Sequence, residues 1–130
     1  MELYIGGFAQ GKLGYVKAQY PSAKVFENLE DFMNAGANSN CGRILNGLHL
    51  IIKQMLAGGI KADEIERRIM PLAENSQDTA IICNEIGCGI VPLDKDERLY
   101  RELTGRILVK LASKADKVVC ITCGIPQRIK

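Results

Sequence analysis

Short apolar runs alternate along the chain with segments in which apolar residues recur at helical spacing. The runs suited to strands buried on both faces are Leu3–Ile5, Ala23–Phe26, Ala80–Cys83 and Lys117–Thr122. Strands that alternate with helices form a parallel sheet with helices packed against it. The pattern therefore predicts a single α/β domain, residues 1–130, with a mostly parallel sheet flanked by helices.

Glycines, prolines and capping residues bound the predicted helices. The longest is Asp94–Ala115, where residues follow in steps of four at Leu99, Leu103, Ile107 and Leu111. The others are a short helix from Gly11 to about Lys17, one from Asn28 or Glu27 to Gly36 with Leu29, Phe32 and Met33 on one face, Cys41–Leu56 between a cap at Asn38–Asn40 and a stop at Gly58-Gly59, and Ala62–Met70 before Pro71. After the last strand, Gly124–Pro126 is expected to turn the chain into a short tail, Gln127–Lys130.

The composition mainly excludes classes of partner and location. With 47% hydrophobic and 25% charged residues, the chain is typical of a globular domain. A net charge of +2 and the lack of Trp give no electrostatic or stacking case for a nucleic-acid partner. Neither a basic leader nor an apolar run near ~18 residues is found, so no membrane partner is predicted. Five cysteines, an odd number without the spacing of a disulfide framework, favour a reducing cytoplasm.

The first strand runs directly into a glycine-rich segment with the spacing Gly6-x-x-x-x-Gly11-Lys12. A strand, such a loop and a helix start form a P-loop, in which backbone N–H groups converge on a phosphate. The helix N-terminus adds positive potential, and Lys12 would reach the outer phosphates. Lys12 is therefore a candidate catalytic residue. The candidate phosphate-binding residues are Gly6, Gly7, Phe8, Ala9, Gln10, Gly11, Lys12 and Leu13.

Leu13 departs from a working P-loop, which has Ser or Thr after the lysine to hold Mg²⁺. A leucine side chain cannot ligate a hard cation. The sequence therefore predicts that a nucleoside triphosphate, GTP or ATP, binds here, and it leaves the need for Mg²⁺ open. Water or Glu85 could take the vacant ligand position.

The most specific run follows the strand Ala80–Cys83 and reads Asn84-Glu85-Ile86-Gly87-Cys88-Gly89-Ile90-Val91-Pro92. Here the sequence resembles the bifunctional adenosylcobinamide kinase / adenosylcobinamide-phosphate guanylyltransferase family of cobalamin biosynthesis, which carries a near-identical run. The resemblance continues through Arg101-x-x-x-Gly105-Arg106, Gly124-Ile125 and Arg128-Ile129-Lys130, and it covers residues 1–17 and 78–130.

The resemblance implies a nucleotide-dependent transferase. One family reaction moves a phosphoryl group from a nucleoside triphosphate to the aminopropanol hydroxyl of adenosylcobinamide, and the other adds a guanylyl group from GTP to that phosphate. Phosphoryl transfer depends mainly on positioning and charge stabilisation, which Lys12 and its loop could supply. The kinase reaction is therefore favoured over guanylyl transfer. The partners to consider are nucleotide, cobinamide and further copies of the chain in a homo-oligomer.

Departures from the family pattern favour a non-catalytic alternative, a P-loop protein that binds nucleotide without turnover. Besides Leu13, Leu108-Val109 stands where the family has an Asn-Gln pair. The family segment with the histidine that takes up GMP is missing between the P-loop and Asn84, and guanylyl transfer through an enzyme intermediate needs a nucleophile. The family strand that ends in an acid could correspond to Ile44-Leu45-Asn46 or to Val25-Phe26-Glu27.

Ligands bind at the carboxyl ends of parallel strands, so Gly6–Lys12, Asn84–Pro92 and Cys123–Pro126 are expected on one rim. Glu85 is a candidate catalytic residue that could hold Mg²⁺ through water or accept a proton, and it could equally cap its own loop. Asn84, Gly87 and Gly89 are expected to shape that rim loop.

Other side chains with reactive or charged groups have simpler structural readings. His49, with no acid or cysteine three or four residues away, is expected to be structural. Arg101 and Arg106 could contact phosphate or another subunit, or could lie on a solvated face or in an ion pair. Cys120 and Cys123 would point to opposite faces of a strand, so no metal site is predicted.

Overall fold

The computed structural model describes residues 1–36, 42–74, 77–87 and 89–130. In chain order the elements are β1 (Glu2–Gly6), α1 (Lys12–Gln19), β2 (Lys24–Phe26), α2 (Leu29–Asn34), β3 (Arg43–Asn46), α3 (Leu48–Ala57), α4 (Ala62–Ile69), a 3₁₀ helix (Met70–Ala73), β4 (Thr79–Asn84), α5 (Lys95–Lys114), β5 (Lys117–Thr122) and β6 (Ile125–Arg128). None of these helices has both the length and the apolar character that crossing a membrane requires.

In the described ranges the strands form one sheet in the order β2-β3-β4-β1-β5-β6. Pairing is parallel from β2 to β5, and β6 returns antiparallel along β5. The chain is thus a single α/β domain with a mostly parallel sheet flanked by helices, as predicted. Because β1 lies between β4 and β5, the loop that follows Gly6 emerges at the centre of the sheet's carboxyl edge.

Helices cover the two faces of the sheet unequally. One face carries α2 to α5, which bury alternate strand residues such as Leu3, Leu45 and Ile81 to 1% exposure or less. The other face carries α1, whose Val16 packs with Tyr4 in a smaller cluster. Since α1 begins directly after the glycine-rich segment, that segment bridges the sheet edge and this second layer.

Local sequence signals located most of these elements correctly. The predicted strands correspond to β1, β2, β4 and β5. Asn28 is the N-cap of α2, since its side chain accepts hydrogen bonds from Glu30 N–H and Asp31 N–H, which decides between the two predicted starts. Asp94 caps α5 in the same way.

The single helix predicted at Cys41–Leu56 is wrong. Arg43–Asn46 is strand β3, and Gly47, in the left-handed region at φ 81°, separates it from α3. The apolar Ile44 and Leu45 are completely buried between β2 and β4, so their spacing reflects a central strand and not a helix face. Cys41 and the predicted cap at 38–40 lie outside the described residues.

Further differences concern the end of the chain and two helix faces. The predicted turn at Gly124–Pro126 and the tail after it are largely strand β6, which pairs with β5. Leu99 is 42% exposed and Tyr100 is buried in its place, while Met33 on α2 is 45% exposed. The rest of both predicted faces is confirmed, since Leu103, Ile107 and Leu111 of α5 and Phe32 of α2 are buried.

Candidate functional site

The glycine-rich loop is held against the sheet edge by close backbone contacts. Gly6 has φ 152°, and a Cβ added to it would lie 2.3 Å from the Ile121 carbonyl oxygen. Gly11 has φ 82° and packs against Gly124, whose Cα would lie 3.5 Å from an added Cβ. A side chain cannot be accommodated at Gly6, and Gly11 has a conformation that side chains disfavour.

Hydrogen bonds tie the same loop to both neighbouring strand ends. The side-chain oxygen of Gln10 accepts a hydrogen bond from Cys123 N–H, and its carbonyl oxygen accepts one from Gly124 N–H at 2.9 Å. On the other side, Glu85 N–H donates to the Gly6 carbonyl oxygen at 3.0 Å. The three segments expected on one rim therefore meet there.

Lys12 lies inside this loop and is only 6% exposed. Its ammonium group donates to the carbonyl oxygens of Gly7 and Gly6 at 2.5 and 3.3 Å. Burial lowers the pKa of Lys12, while the nearby Cys83, Cys120 and Glu85 act in the opposite direction. A cation is thus held where the loop curls.

Backbone N–H groups without acceptors lie along the same loop. The N–H groups of Phe8, Ala9 and Gly11 donate to no acceptor within the described ranges. Helix α1 begins with no side-chain cap at Gly11 and no acidic residue in its first turn. Among the described residues, no side-chain cap or first-turn acid therefore competes with an anion for the positive end of α1.

A cavity of about 320 Å³ opens beside the loop. Phe8 to Gly14 form one wall, with Phe8 itself 84% exposed, and the opposite wall comes from the ends of β3 and β4 and the start of α3. The residues of that second wall are Asn46, Gly47, His49, Leu50, Ile82 and Asn84. All the predicted phosphate-binding residues from Phe8 to Leu13, together with Asn84, border this space.

The other rim residues lie on the far side of the strand end. Glu85 and Gly87 line a second, apolar groove of about 300 Å³ under α5, together with Leu108 and Val109. Gly89 lies beside the Arg101 guanidinium. The structure therefore brings Asn84, but not the side chain of Glu85, to the wall of the cavity beside Lys12.

The residues around the cavity do not fit a Mg²⁺ ion held by the protein. Leu13 packs its side chain toward the Tyr4 and Val16 cluster and offers no oxygen. Among the described residues that line the cavity, the side-chain oxygens come from Gln10, Asn46 and Asn84, and none is a carboxylate. Amides are weak substitutes for the charged ligands that Mg²⁺ prefers.

The two strand ends that the sequence left as alternatives for the family's acidic position lie side by side. The amide nitrogen of Asn46, at the end of β3, donates to the Glu27 carboxylate, just after β2, at 3.2 Å. Asn46 faces the cavity wall, and Glu27 is its partner at the outer edge. Both segments are parallel strands ending at the same rim.

His49 is a cavity residue that the sequence prediction missed. It occupies the first turn of α3, and its Nδ1 accepts a hydrogen bond from Asn84 N–H at 3.2 Å. Burial, followed by the charges of Lys12 and Lys53, lowers its pKa. A polar residue in the first turn after a strand end would have been the signal, but the erroneous helix at Cys41–Leu56 concealed it.

The arginines of α5 have structural partners. Arg101 donates to the carbonyl oxygens of Ile86 and Ile90 at 2.7 and 2.6 Å and so holds the loop after β4. Arg106 forms an ion pair with Glu66 at 3.1 Å, as the simpler reading expected. Neither guanidinium borders the cavity beside Lys12.

The described cysteines lie on two strands and in the turn after β5. Cys83 is buried, which raises its pKa to about 12, Cys120 is half-buried, and Cys123 is exposed. The expectation that Cys123 lies on a strand with Cys120 is wrong, because β5 ends at Thr122 and Cys123 lies in the turn that follows. The described residues contain no cluster of His, Cys, Asp or Glu suited to a metal ion. Cys88 lies outside them.

A parallel sheet whose central strand ends in a glycine-rich loop with a buried lysine defines the class of P-loop folds. The family model described as cobinamide kinase / cobinamide phosphate guanyltransferase matches residues 17–129. The chain belongs to this family. The match begins after the glycine-rich loop, so the family model itself does not cover Lys12.

Two curated relatives carry the name bifunctional adenosylcobalamin biosynthesis protein CobU. The protein from Salmonella typhimurium is 35% identical over 68 residues, which is 52% of this chain and 38% of that protein. The protein from Escherichia coli is 28% identical over 121 residues, with 81% of this chain and 67% of that protein covered. The chain thus spans only part of the curated relatives that it matches.

Proposed function

We propose that the chain binds the phosphates of a nucleoside triphosphate at the cavity beside Lys12 and transfers the terminal phosphoryl group to the hydroxyl of a cobinamide. The observation that carries this proposal is a buried Lys12 in a loop whose Phe8, Ala9 and Gly11 N–H groups have no acceptor among the described residues. Membership of the cobinamide kinase / cobinamide phosphate guanyltransferase family supports the choice of acceptor.

The residues have separate roles in this proposal. The loop N–H groups and the start of α1 hold the phosphates, and Lys12 neutralises charge that develops on the transferred group. Glu85 is the proposed base: its charge acts on Lys12, and its side chain borders the apolar groove under α5. A Mg²⁺ ion would arrive with the nucleotide, since the cavity residues do not fit a site of their own.

Comparison of Lys12→Ala with Lys17→Ala tests phosphate binding. Lys17 lies in the last turn of the same helix and is exposed, so its loss is a matched control for charge. We expect Lys12→Ala to weaken ATP or GTP binding more than tenfold, about 1.4 kcal/mol or more, in calorimetric titrations. Equal affinities for the two variants would place the site elsewhere.

A non-catalytic nucleotide-binding protein is the second candidate, and Leu13 favours it. Phosphate transfer to cobinamide should be measured for the wild type and Leu13→Ser, with nucleotide affinity in Mg²⁺ and in EDTA. Binding that strengthens with Mg²⁺, and turnover that rises in Leu13→Ser, would support the kinase. Binding that ignores Mg²⁺, with no transfer by either protein, would leave the binding protein.

Guanylyl transfer is not part of the proposal. We expect the intact mass after incubation with GTP and Mg²⁺ to show only the free chain, and a GMP adduct on His49 would contradict this.

The proposed location of the protein is the cytoplasm. The free thiols of Cys83, Cys120 and Cys123 fit this reducing compartment.

A further inference from the structure

His49 stands on the cavity wall opposite Lys12 with one ring nitrogen already engaged. Its Nδ1 accepts the Asn84 N–H at 3.2 Å, and its backbone carbonyl accepts the Tyr100 hydroxyl at 3.0 Å. Within the described residues, Nε2 on the opposite edge of the ring has no hydrogen-bond partner. The residue is therefore held at one ring nitrogen and at its backbone, and the opposite edge of the ring is left for a ligand.

The hydrogen bond from Asn84 determines which nitrogen carries the proton. A backbone N–H is always a donor, so the Nδ1 that it approaches must present a lone pair. A neutral imidazole then carries its hydrogen on Nε2. In this tautomer Nε2 donates and has no free lone pair, so it is unsuited to attack a phosphate.

The groups packed around the ring favour the neutral form. Lys12 approaches from the loop and Lys53 from the same helix, and both positive charges oppose protonation of the ring. Cys83 on β4 is a buried neutral thiol and Tyr100 on α5 is a neutral phenol. No described carboxylate lines the cavity to stabilise an imidazolium.

We propose that His49 donates a hydrogen bond from Nε2 to a phosphate oxygen of the nucleotide bound beside Lys12. This inference rests on the proposed nucleotide site and adds a neutral donor to the charged one. The two residues would contribute differently to phosphate binding: Lys12 contributes a positive charge, and His49 contributes a directional hydrogen bond. Asn84 is a positioning residue in this arrangement, because its N–H selects the tautomer.

Nuclear magnetic resonance can read the tautomer directly. The chain has one histidine, so selective labelling with ¹⁵N-histidine gives one Nδ1 and one Nε2 signal in the untagged protein. At pH 7 we expect a protonated Nε2 and an unprotonated Nδ1, and we expect addition of ATP or GTP to move the Nε2 signal. A protonated Nδ1 in the free protein, or no shift of Nε2 at saturating nucleotide, would overturn the inference.

Substitutions provide the second test. His49→Leu removes the donor and should weaken nucleotide and inorganic tripolyphosphate binding by about tenfold. His49→Gln can accept from Asn84 and still donate, so it should stay within about threefold of the wild type. Gln54→Leu, an exposed change on the same helix away from the cavity, is the matched control and should bind like the wild type.

The outcomes separate this inference from the function on which it rests. Binding by the wild type with equal affinity in His49→Leu would overturn the role of His49 alone. A wild type that binds neither nucleotide nor tripolyphosphate would overturn the proposed function as well. Weakened binding in His49→Leu, restored in His49→Gln, with thermal stability of both variants close to that of Gln54→Leu, would support the inference.

Discussion

Replacing Gly6 by alanine would place a methyl group into the backbone of the neighbouring strand. The added Cβ would lie 2.3 Å from the Ile121 carbonyl oxygen, about 1 Å short of an ordinary carbon–oxygen contact. The oxygen belongs to the backbone of β5, so it cannot rotate away as a side chain would. β1 and β5 would have to separate at the point where the glycine-rich loop begins.

The magnitude follows from two contributions. Overpacking of a tightly built region costs about 1–3 kcal/mol, and a left-handed φ for a residue with a Cβ adds about 1 kcal/mol. We therefore expect Gly6→Ala to lower the free energy of unfolding by about 2–4 kcal/mol. Nucleotide affinity should fall too, because the Gly6 carbonyl oxygen accepts hydrogen bonds from both Lys12 and Glu85.

Urea denaturation followed by circular dichroism measures the stability change, and Gly87→Ala is the matched control. Gly87 lies on the same rim, has no left-handed φ, and has no heavy atom within 4 Å of an added Cβ. Its substitution should change stability by less than about 0.5 kcal/mol. If Gly6→Ala were as stable as Gly87→Ala, the close approach of Gly6 to the Ile121 carbonyl would be refuted.

Three further predictions follow from α5 and from the opposite edge of the sheet. Gly105→Ala should raise the melting temperature and stabilise by about 0.5–1 kcal/mol, because this glycine is inside α5 with open space around it. Arg101→Ala, but not Arg98→Ala on the exposed side, should accelerate hydrogen exchange in the loop after β4, because Arg101 holds the carbonyl oxygens of Ile86 and Ile90; equal rates in the two variants would contradict this. Burial, together with the hydrogen bond to a carboxylate, raises the pKa of Tyr20 to about 12. The neutral phenol contributes its full stability below pH 10, the usual pKa of tyrosine, and this contribution is lost as the pH rises toward 12. The melting temperature should therefore fall across that interval, while absorbance at 295 nm rises as the phenol ionises. A constant melting temperature would refute this prediction.

The P-loop segment was predictable because its signals are local. A three-residue apolar run, two glycines at fixed spacing and a lysine specify strand, loop and helix within a dozen residues. The order of strands supports the same conclusion, since the predicted β-strands alternate with helices. These features identify the part of the sheet edge at which we propose that phosphate binds.

The second wall of the cavity could not be predicted because it depends on contacts between distant segments. β3 is a short buried strand fused to an apolar helix, and Gly47 is the only residue that separates the two periodicities. The partner of His49 is Asn84, on another strand, and sequence spacing gives no sign of it. Unless β3 is recognised, nothing in the sequence predicts that His49 and Asn84 lie beside the same cavity as Lys12.

Strand β6 escaped prediction for a different reason. All four of its residues are exposed, so it has no alternation of buried and solvated positions. It is an edge strand that contains Pro126, which sequence rules assign more readily to a turn. Its pairing with β5 is set by the turn at Gly124, and not by burial.

The hydrogen bond between Gln10 and Cys123 makes Cys123 a suitable position for a spectroscopic label. The Cys123 amide is the donor to the P-loop, while its thiol is exposed and takes no part in the loop. Through this hydrogen bond, a displacement of Gln10 would also change the surroundings of the turn that carries the sulfur. If nucleotide binds at the loop as proposed, a small fluorophore attached to Cys123 would report it without alteration of any residue that lines the cavity.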